Sequence, residues 1–138
     1  MKYLSDYMES KQTKLFEEKQ VFFAFSNEQF KEGMQKHNIN KDNTITSLGG
    51  GMYCPKYNAQ EVVDTLHKIY TDSINKDIEE NGKDKIILRE LCNYEAFYVG
   101  DIEDTKEKLK DYKCIEEKDI IRVYHKNYSK HADGFAIN

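Results

Sequence analysis

The sequence predicts an α+β fold, in which several helices pack against a small, mainly antiparallel sheet. Three observations lead to this prediction. Apolar residues recur at helical spacing over long stretches, two short β-prone runs flank three consecutive glycines, and helical and extended segments follow one another without a regular β-α-β alternation. At 138 residues the chain has the length of one ordinary domain, so we expect residues 1–138 to form a single domain.

The first part of the chain predicts a helix, a strand and a second helix. Residues 1–19 carry apolar positions at helical spacing among charged ones, which is typical of an amphipathic helix. The apolar run at residues 21–25 predicts a buried strand. The run ends at Ser26, and Gln29 follows at the spacing of a capping box, so a helix is expected over residues 27–37.

The middle of the chain predicts a hairpin followed by a long helix. Residues 44–48 and 52–55 are β-prone, and the glycines at 49–51 supply the positive φ angles that a tight turn needs. A phosphate-binding loop is the alternative interpretation of these glycines, but such a loop opens onto a helix that carries a Lys and a Ser or Thr, and none follows here. Apolar residues then continue at three- and four-residue steps, which predicts a long helix over about residues 59–80.

The last part of the chain predicts short elements of both kinds. Residues 84–91 and 102–112 have the spacing of helices, and residues 96–99 predict a short extended segment between them. Residues 120–126 are rich in β-branched and aromatic side chains and predict a closing strand. Residues 129–138 predict a loose tail.

Composition and charge restrict the possible partners. The formal net charge is −4, and the chain has only two arginines, the side chain best suited to bidentate contacts with phosphate and guanine, so direct sequence-specific binding of nucleic acid is not expected. The acidity is regional, because residues 77–119 contain 14 acidic and 8 basic side chains. Such a surface could compete with nucleic acid for a basic channel. Interleaved lysines lower its field, so we rank this mimicry below contacts made by aromatic side chains.

The cysteines and the lack of long apolar segments indicate a cytoplasmic protein. Three cysteines without a C-x-x-C pair are typical of reduced thiols, and we expect Cys92 and Cys114 to be small buried apolar groups. No apolar run approaches the roughly 18 residues of a membrane span, so no membrane partner is expected. The histidines lack metal-binding spacing, so no metal, cofactor or catalytic residue is assigned, and the sequence leaves the oligomeric state open.

The aromatic content suggests a binding surface. Ten tyrosines are too many for the core of one small domain, so some must be exposed. Tyrosine is favoured at protein interfaces because a rigid apolar ring ends in a hydrogen-bonding hydroxyl. Rim positions that cover the edges of the core are the alternative explanation. The candidates for partner binding are Tyr3, Tyr7, Tyr53 and Tyr57.

A cluster of carboxylates offers a different hypothesis. Glu90, Glu95 and Asp101 adjoin the apolar segment at residues 96–99. If they met in a cleft, they could hold a divalent cation or act as acid and base in a small metal-assisted hydrolase. Asp101 is equally well placed to cap the helix that follows it, and we weigh capping above chemistry.

Three sequence features resemble small proteins of phages and mobile elements in AT-rich bacteria. They are residues 22–30 (FFAFSNEQF), the glycines at 49–51, and the pairs Tyr94-Glu95 and Gly100-Asp101. The likeness spans about residues 20–126 and leaves the first helix outside it.

That group is functionally obscure and supplies no catalytic residues. The resemblance implies an accessory protein of phage or mobile-element origin that binds and blocks a host factor. The leading hypothesis is therefore a non-catalytic inhibitor of a host defence complex, whose partner is a host protein or a ribonucleoprotein effector. An anti-CRISPR protein against a type VI RNA-guided, RNA-cleaving effector would fit in size and charge. Such a protein acts in the cytoplasm of the host cell.

Overall fold

The computed structural model describes the backbone of residues 1–137 and, apart from Asn43 and residues 131–137, their side chains. It confirms the α+β class, with a three-stranded antiparallel sheet and several helices, one of them long. The chain divides into two compact units, which we call the N-terminal unit (Met1–Ser73) and the C-terminal unit (Ile74–Asn138). None of the helices in the described residues is both long and apolar enough to cross a membrane.

The N-terminal unit contains the whole sheet. Its elements are α1 (Leu4–Glu18), β1 (Phe22–Phe23), α2 (Asn27–Lys36), β2 (Ile45–Gly49), β3 (Met52–Pro55) and the first part of α3 (Ala59–Asn81). Short 3-10 turns at Asp42–Thr44 and Lys56–Asn58 precede β2 and α3. The strand order is β1-β3-β2, and β3 pairs antiparallel with both neighbours. The predicted hairpin, first helix and long helix are confirmed.

The junction between β1 and α2 follows the predicted capping chemistry with one difference. The Ser26 hydroxyl accepts a hydrogen bond from the Gln29 N–H at 3.2 Å. The Gln29 side-chain oxygen accepts from the N–H of Phe25 at 2.7 Å, one residue before the expected donor. The strand is also shorter than the predicted run, because only Phe22–Phe23 pair with β3.

Two apolar clusters cover the two faces of this sheet. One joins Leu15 of α1 and Val62 of α3 to Val21 and Cys54. The other surrounds Phe22, Ala24 and Ile45 and includes Phe30 and Met34 of α2. Neighbouring residues of a strand therefore enter opposite clusters, as the period of two in a strand requires.

The C-terminal unit is helical. It contains the end of α3, α4 (Lys83–Asn93), α5 (Ala96–Val99), α6 (Glu103–Lys108) and α7 (Glu117–Ile137). Ile86, Ile87 and Leu91 of α4 are fully buried, and Ile120 and Val123 of α7 are almost so. α4 packs against α5, α6 and α7 and forms the middle of this unit.

Two predicted extended segments are wrong, because both are helical. Residues 120–126 belong to α7, where Ile120 and Val123 are buried and Ile121 is exposed, which is the three-residue spacing of a helix. Residues 96–99 form the single turn α5, between left-handed residues at Glu95 and Gly100. Residues 129–137, assigned to a loose tail, are the last turns of α7, and Asn138 lies outside the described residues.

The cysteines also differ from expectation. Cys54 is fully buried beneath the sheet, whereas Cys92 and Cys114, which were expected to be buried, are exposed. Cys92 follows the buried Leu91 and lies on the exposed side of the last turn of α4, and Cys114 lies in the loop before α7, so the small apolar character of a thiol does not by itself predict burial.

Candidate functional site

A groove of about 500 Å³ lies in the N-terminal unit between α1 and α2. β1 contributes to its base, and β1 is an edge strand with β3 on only one side. The residues that line the groove come from α1 (Thr13, Phe16, Glu17), from β1 and the residue before it (Val21, Phe22, Phe23), and from α2 and its C-terminal cap (Gln29, Glu32, Gly33, Lys36, His37).

The depth of the groove depends on close packing between α2 and β1. A Cβ atom at Gly33 would lie 2.1 Å from the Cδ2 atom of Phe22, so only glycine lets the helix approach this ring. The Phe22 ring stacks on His37 with centroids 6.1 Å apart and meets the edge of Phe30 at 5.6 Å. Phe22 therefore has a fixed position below the wall that α2 forms.

Two phenylalanines of the predicted buried run are exposed instead. Phe23 is 46% exposed and rests on Phe16 in an edge-to-face contact of 5.4 Å. Phe25 is 77% exposed, and its ring lies over Gly51, where a Cβ would come within 2.4 Å of Cε1. The apolar run at residues 21–25 predicts burial of both rings, because a continuous apolar run does not show which of its side chains the sheet leaves open.

A polar network fixes one end of the groove. Gln20 donates from Nε2 to the backbone carbonyl of His37 at 2.8 Å and accepts from the Tyr57 hydroxyl at 2.7 Å. Burial lowers the pKa of His37, the charge of Lys36 acts in the same direction, and a hydrogen bond with the Val21 backbone opposes them. The imidazole is therefore neutral near pH 7 and packs on Phe22 as an uncharged ring.

The walls of the groove carry more negative than positive charge. Glu17 lies on the α1 wall, and Glu32 and Lys36 lie on the α2 wall. All three side chains are exposed, and within the described part of the chain neither carboxylate takes part in an ion pair. With His37 neutral, the groove has one uncompensated negative charge near pH 7.

The four tyrosines proposed for partner binding lie on different elements of the N-terminal unit. Tyr3 precedes α1 and is about half exposed, and Tyr7 lies on its first turns below the ammonium group of Lys2. Tyr53 of β3 is partly covered, because it stacks on Phe22 on the α2 side of the sheet. Tyr57 is mostly exposed and holds Gln20 at the end of the groove.

The three carboxylates of the hydrolase hypothesis lie in different environments. Glu90 is buried and accepts a hydrogen bond from Arg89, whereas Glu95 and Asp101 are exposed. Asp101 precedes Ile102, the N-cap residue of α6, and accepts from the N–H of Glu103, the first residue of that helix, at 2.8 Å. Among the side chains that the structure describes, no three His, Cys, Asp or Glu residues come close enough together to hold a metal ion.

Glu90 belongs instead to a buried polar network that links three parts of the C-terminal unit. Arg89 of α4 donates two hydrogen bonds of 2.9 Å to Asp77 of α3, and the Tyr112 hydroxyl donates to the same carboxylate at 2.6 Å. Burial alone would raise the pKa of Asp77, but the hydrogen bonds from Arg89, Tyr112 and Asn81 outweigh it, so that pKa lies below its ordinary value. Burial and the bond to Asp77 raise the pKa of Tyr112. This network keeps its groups in fixed protonation states and acts as a structural cross-link.

Comparison with known proteins places the chain in a family. Residues 4–131 match the family described as "Family of unknown function (DUF7659)", and the chain belongs to it. No curated protein and no solved structure matches the chain.

Proposed function

We propose that this member of DUF7659 is a non-catalytic protein-binding module, which contacts its partner through the groove between α1 and α2. The observation that carries the proposal is the exposed aromatic surface at the groove and beside it. Phe23 is 46% exposed within the groove, and Phe25, two residues further on, is 77% exposed. Large aromatic side chains that stay open to water close together along the chain are typical of binding surfaces.

The composition of the groove supports the same proposal. Its base is aromatic, with Phe16, Phe22 and Phe23, and its rim is polar. An apolar centre within a polar rim is the usual arrangement of a protein interface, because the centre supplies the affinity and the rim excludes water from it. Tyr57 and Tyr3 are exposed on the same unit and are available as further contacts.

The partner follows from the resemblance in sequence. We propose that the protein is of phage or mobile-element origin, acts in the host cytoplasm, and inhibits a host defence complex, with a type VI CRISPR effector as the specific candidate. Mimicry of nucleic acid by the acidic segment at residues 77–119 ranks lower. Several of its carboxylates pair with lysines, for example Glu107 with Lys110 at 2.7 Å, and such pairs weaken the field that mimicry needs.

Two substitutions with matched exposure test the proposal. Phe23→Ala removes an exposed ring that rests on Phe16 in the groove, and Tyr128→Ala removes an equally exposed ring that rests on Tyr124 in the C-terminal unit. The tagged wild-type protein is used to capture partners from host extract and is titrated into RNA cleavage by a type VI effector. We expect a stoichiometric partner and inhibition, both weakened at least about tenfold by Phe23→Ala and unchanged by Tyr128→Ala.

The salt dependence of partner binding distinguishes an aromatic interface from an acidic one. Burial of aromatic rings should be almost indifferent to an increase from about 50 to 200 mM salt, whereas competition with nucleic acid should lose most of its affinity. Recovery of no stoichiometric partner, together with unchanged RNA cleavage, would refute the proposed function. If added salt abolishes binding of the partner but Phe23→Ala does not weaken it, the interface is the acidic segment at residues 77–119 and not the groove.

A further inference from the structure

The register of the sheet leaves one residue of β1 with its main-chain groups directed away from β3, at the open strand edge that borders the groove. Phe22 pairs with Tyr53, Phe23 pairs with Met52, and the N–H of Ala24 donates to the carbonyl of Gly51 at 2.9 Å. In an antiparallel pair, residues that exchange hydrogen bonds alternate with residues that do not. The N–H and C=O of Phe23 therefore point away from β3, toward the open side of the edge strand.

The neighbouring donors on this open side are already satisfied. The N–H of Val21 donates to the carbonyl of Phe16 at 2.9 Å, and the N–H of Phe25 donates to the side chain of Gln29 at 2.7 Å. Native proteins protect edge strands in this way, because unpaired donors and acceptors invite pairing with other chains. Here the protection stops at Phe23, which lies between the two satisfied donors and lines the groove.

We propose that the groove binds a short extended segment of a partner protein, which exchanges a pair of main-chain hydrogen bonds with Phe23. This inference rests on the proposed function, because it specifies how the partner occupies the groove. Strand addition is a known mode of peptide recognition, in which main-chain hydrogen bonds give affinity and alternate side chains give specificity. Alternate residues of the added strand point to opposite faces of the sheet, so they face the α1 wall and the α2 wall in turn.

The charges on the walls specify the chemistry of the segment. Glu17 on one wall and Glu32 with Lys36 on the other are all exposed and leave one net negative charge, and the base of the groove is aromatic. A segment that combines Lys or Arg with apolar β-branched residues complements both features, whereas an acidic segment is repelled. The occupant is therefore an extended, basic and apolar stretch of another protein.

The probe is a fluorescent peptide of about seven residues that alternates Val and Lys, with blocked termini. Binding to the full chain is measured by fluorescence polarisation. The first control replaces Lys by Glu, and the second carries N-methyl groups on the central residues, which removes main-chain donors and keeps every side chain. We expect saturable binding of the Val-Lys peptide, at least about a tenfold loss on N-methylation, and no detectable binding of the Val-Glu peptide.

Substitutions locate the binding site. Glu32→Gln should weaken the Val-Lys peptide severalfold, whereas Glu28→Gln, which changes an exposed carboxylate of α2 outside the groove, should leave it unchanged. Equal binding of the N-methylated peptide would overturn main-chain pairing with Phe23. If Glu32→Gln and Glu28→Gln weaken peptide binding equally, the groove is not the binding site. If the free protein is a dimer that the Val-Lys peptide does not dissociate, the open edge of β1 pairs with a second copy of the chain. That result would also overturn the inference.

The two proposals fail in different ways. If the peptide does not bind, but capture of a host partner still depends on Phe23, strand addition is wrong and the proposed function stands. If the peptide binds in the expected manner, but host extract yields no partner and RNA cleavage is unchanged, the groove is a peptide site and the proposed function is wrong.

Discussion

Replacing Arg89 by Met should destabilise the protein far more than replacing Arg122 by Met. Each arginine makes a bidentate ion pair with an aspartate on a neighbouring helix, Arg89 with Asp77 at 2.9 Å and Arg122 with Asp84 at 2.7 and 3.0 Å. The pairs differ in burial. The side chains of Arg89 and Asp77 are 4% and 0% exposed, whereas those of Arg122 and Asp84 are 47% and 53% exposed.

The expected loss for Arg89→Met follows from the groups that it leaves behind. Asp77 and Glu90 would remain buried without a cation, and breaking a buried pair from one side typically costs about 3–5 kcal/mol. Asp77 keeps its hydrogen bonds from Tyr112 and Asn81, so we expect the lower end of that range, about 3 kcal/mol. With a urea m-value of about 2 kcal/mol/M, the unfolding midpoint should fall by about 1.5 M.

The assay is urea unfolding followed by circular dichroism at pH 7, with Arg122→Met as the matched control. An exposed pair contributes little, so the control should move the midpoint by only a small fraction of the shift in Arg89→Met. The loss in Arg89→Met should also shrink as the pH falls toward 4. Without Arg89 the pKa of the buried Asp77 rises, so its folded form then takes up a proton before the unfolded chain does.

Two results would refute this reasoning. If Arg122→Met lowers the midpoint as much as Arg89→Met, burial does not decide the strength of these pairs. If Arg89→Met leaves the midpoint unchanged, the buried network is not the cross-link that its geometry indicates.

Three further substitutions test the groove and the network. Gly33→Ala places a methyl group against the Phe22 ring and should lower the free energy of unfolding by about 1–2 kcal/mol, even though alanine favours the helix by about 1 kcal/mol. Tyr112→Phe removes the 2.6 Å hydrogen bond to Asp77 and should lower the free energy of unfolding, measured in urea at pH 7, by about 1–2 kcal/mol. His37→Gln should flatten the pH dependence of stability. Because the pKa of His37 is lowered in the folded state, the unfolded chain binds the proton more tightly, and the wild type should lose stability as the pH falls through 6.5 toward that lowered pKa.

Each of these predictions has a result that contradicts it. Gln35→Ala also introduces an alanine into α2, but on its exposed side, so the Gly33→Ala protein should be less stable than the Gln35→Ala protein. Equal stability of the two proteins would contradict the close approach of Gly33 to Phe22. An unchanged midpoint in Tyr112→Phe would show that the hydroxyl contributes nothing to the network. A His37→Gln protein with the pH slope of the wild type would assign that slope to other groups.

The elements that could be predicted from the sequence are those with local signals. The Ser26 cap, the turn at residues 49–51 and the periodicity of α3 depend on residues close together in the chain, and all three are present. The segments at residues 96–99 and 120–126 were misassigned because a short apolar run rich in β-branched and aromatic residues fits a buried strand and a helix equally well. Only the packing against α4 decides between them.

The candidate site depends on contacts between distant residues, which sequence spacing does not reveal. Glu90 is a neighbour of Glu95 and Asp101 along the chain, but the structure pairs it with Arg89, whose other partner Asp77 lies twelve residues earlier. The exposure of Phe23 likewise depends on the register with β3 and on the two-residue length of β1. A strand pattern alone does not show whether an apolar residue faces a helix or the open edge of a sheet.

The open position at Phe23 combines two costs to the stability and solubility of the fold. An exposed aromatic ring forgoes burial that would stabilise the fold, and an unpaired edge invites association. The unit already satisfies the donors of Val21 and Phe25 with groups from α1 and α2. Departures from such local rules concentrate at functional sites, because there the lost stability is offset by binding. The one open residue between two satisfied donors is therefore the position at which we expect a partner strand.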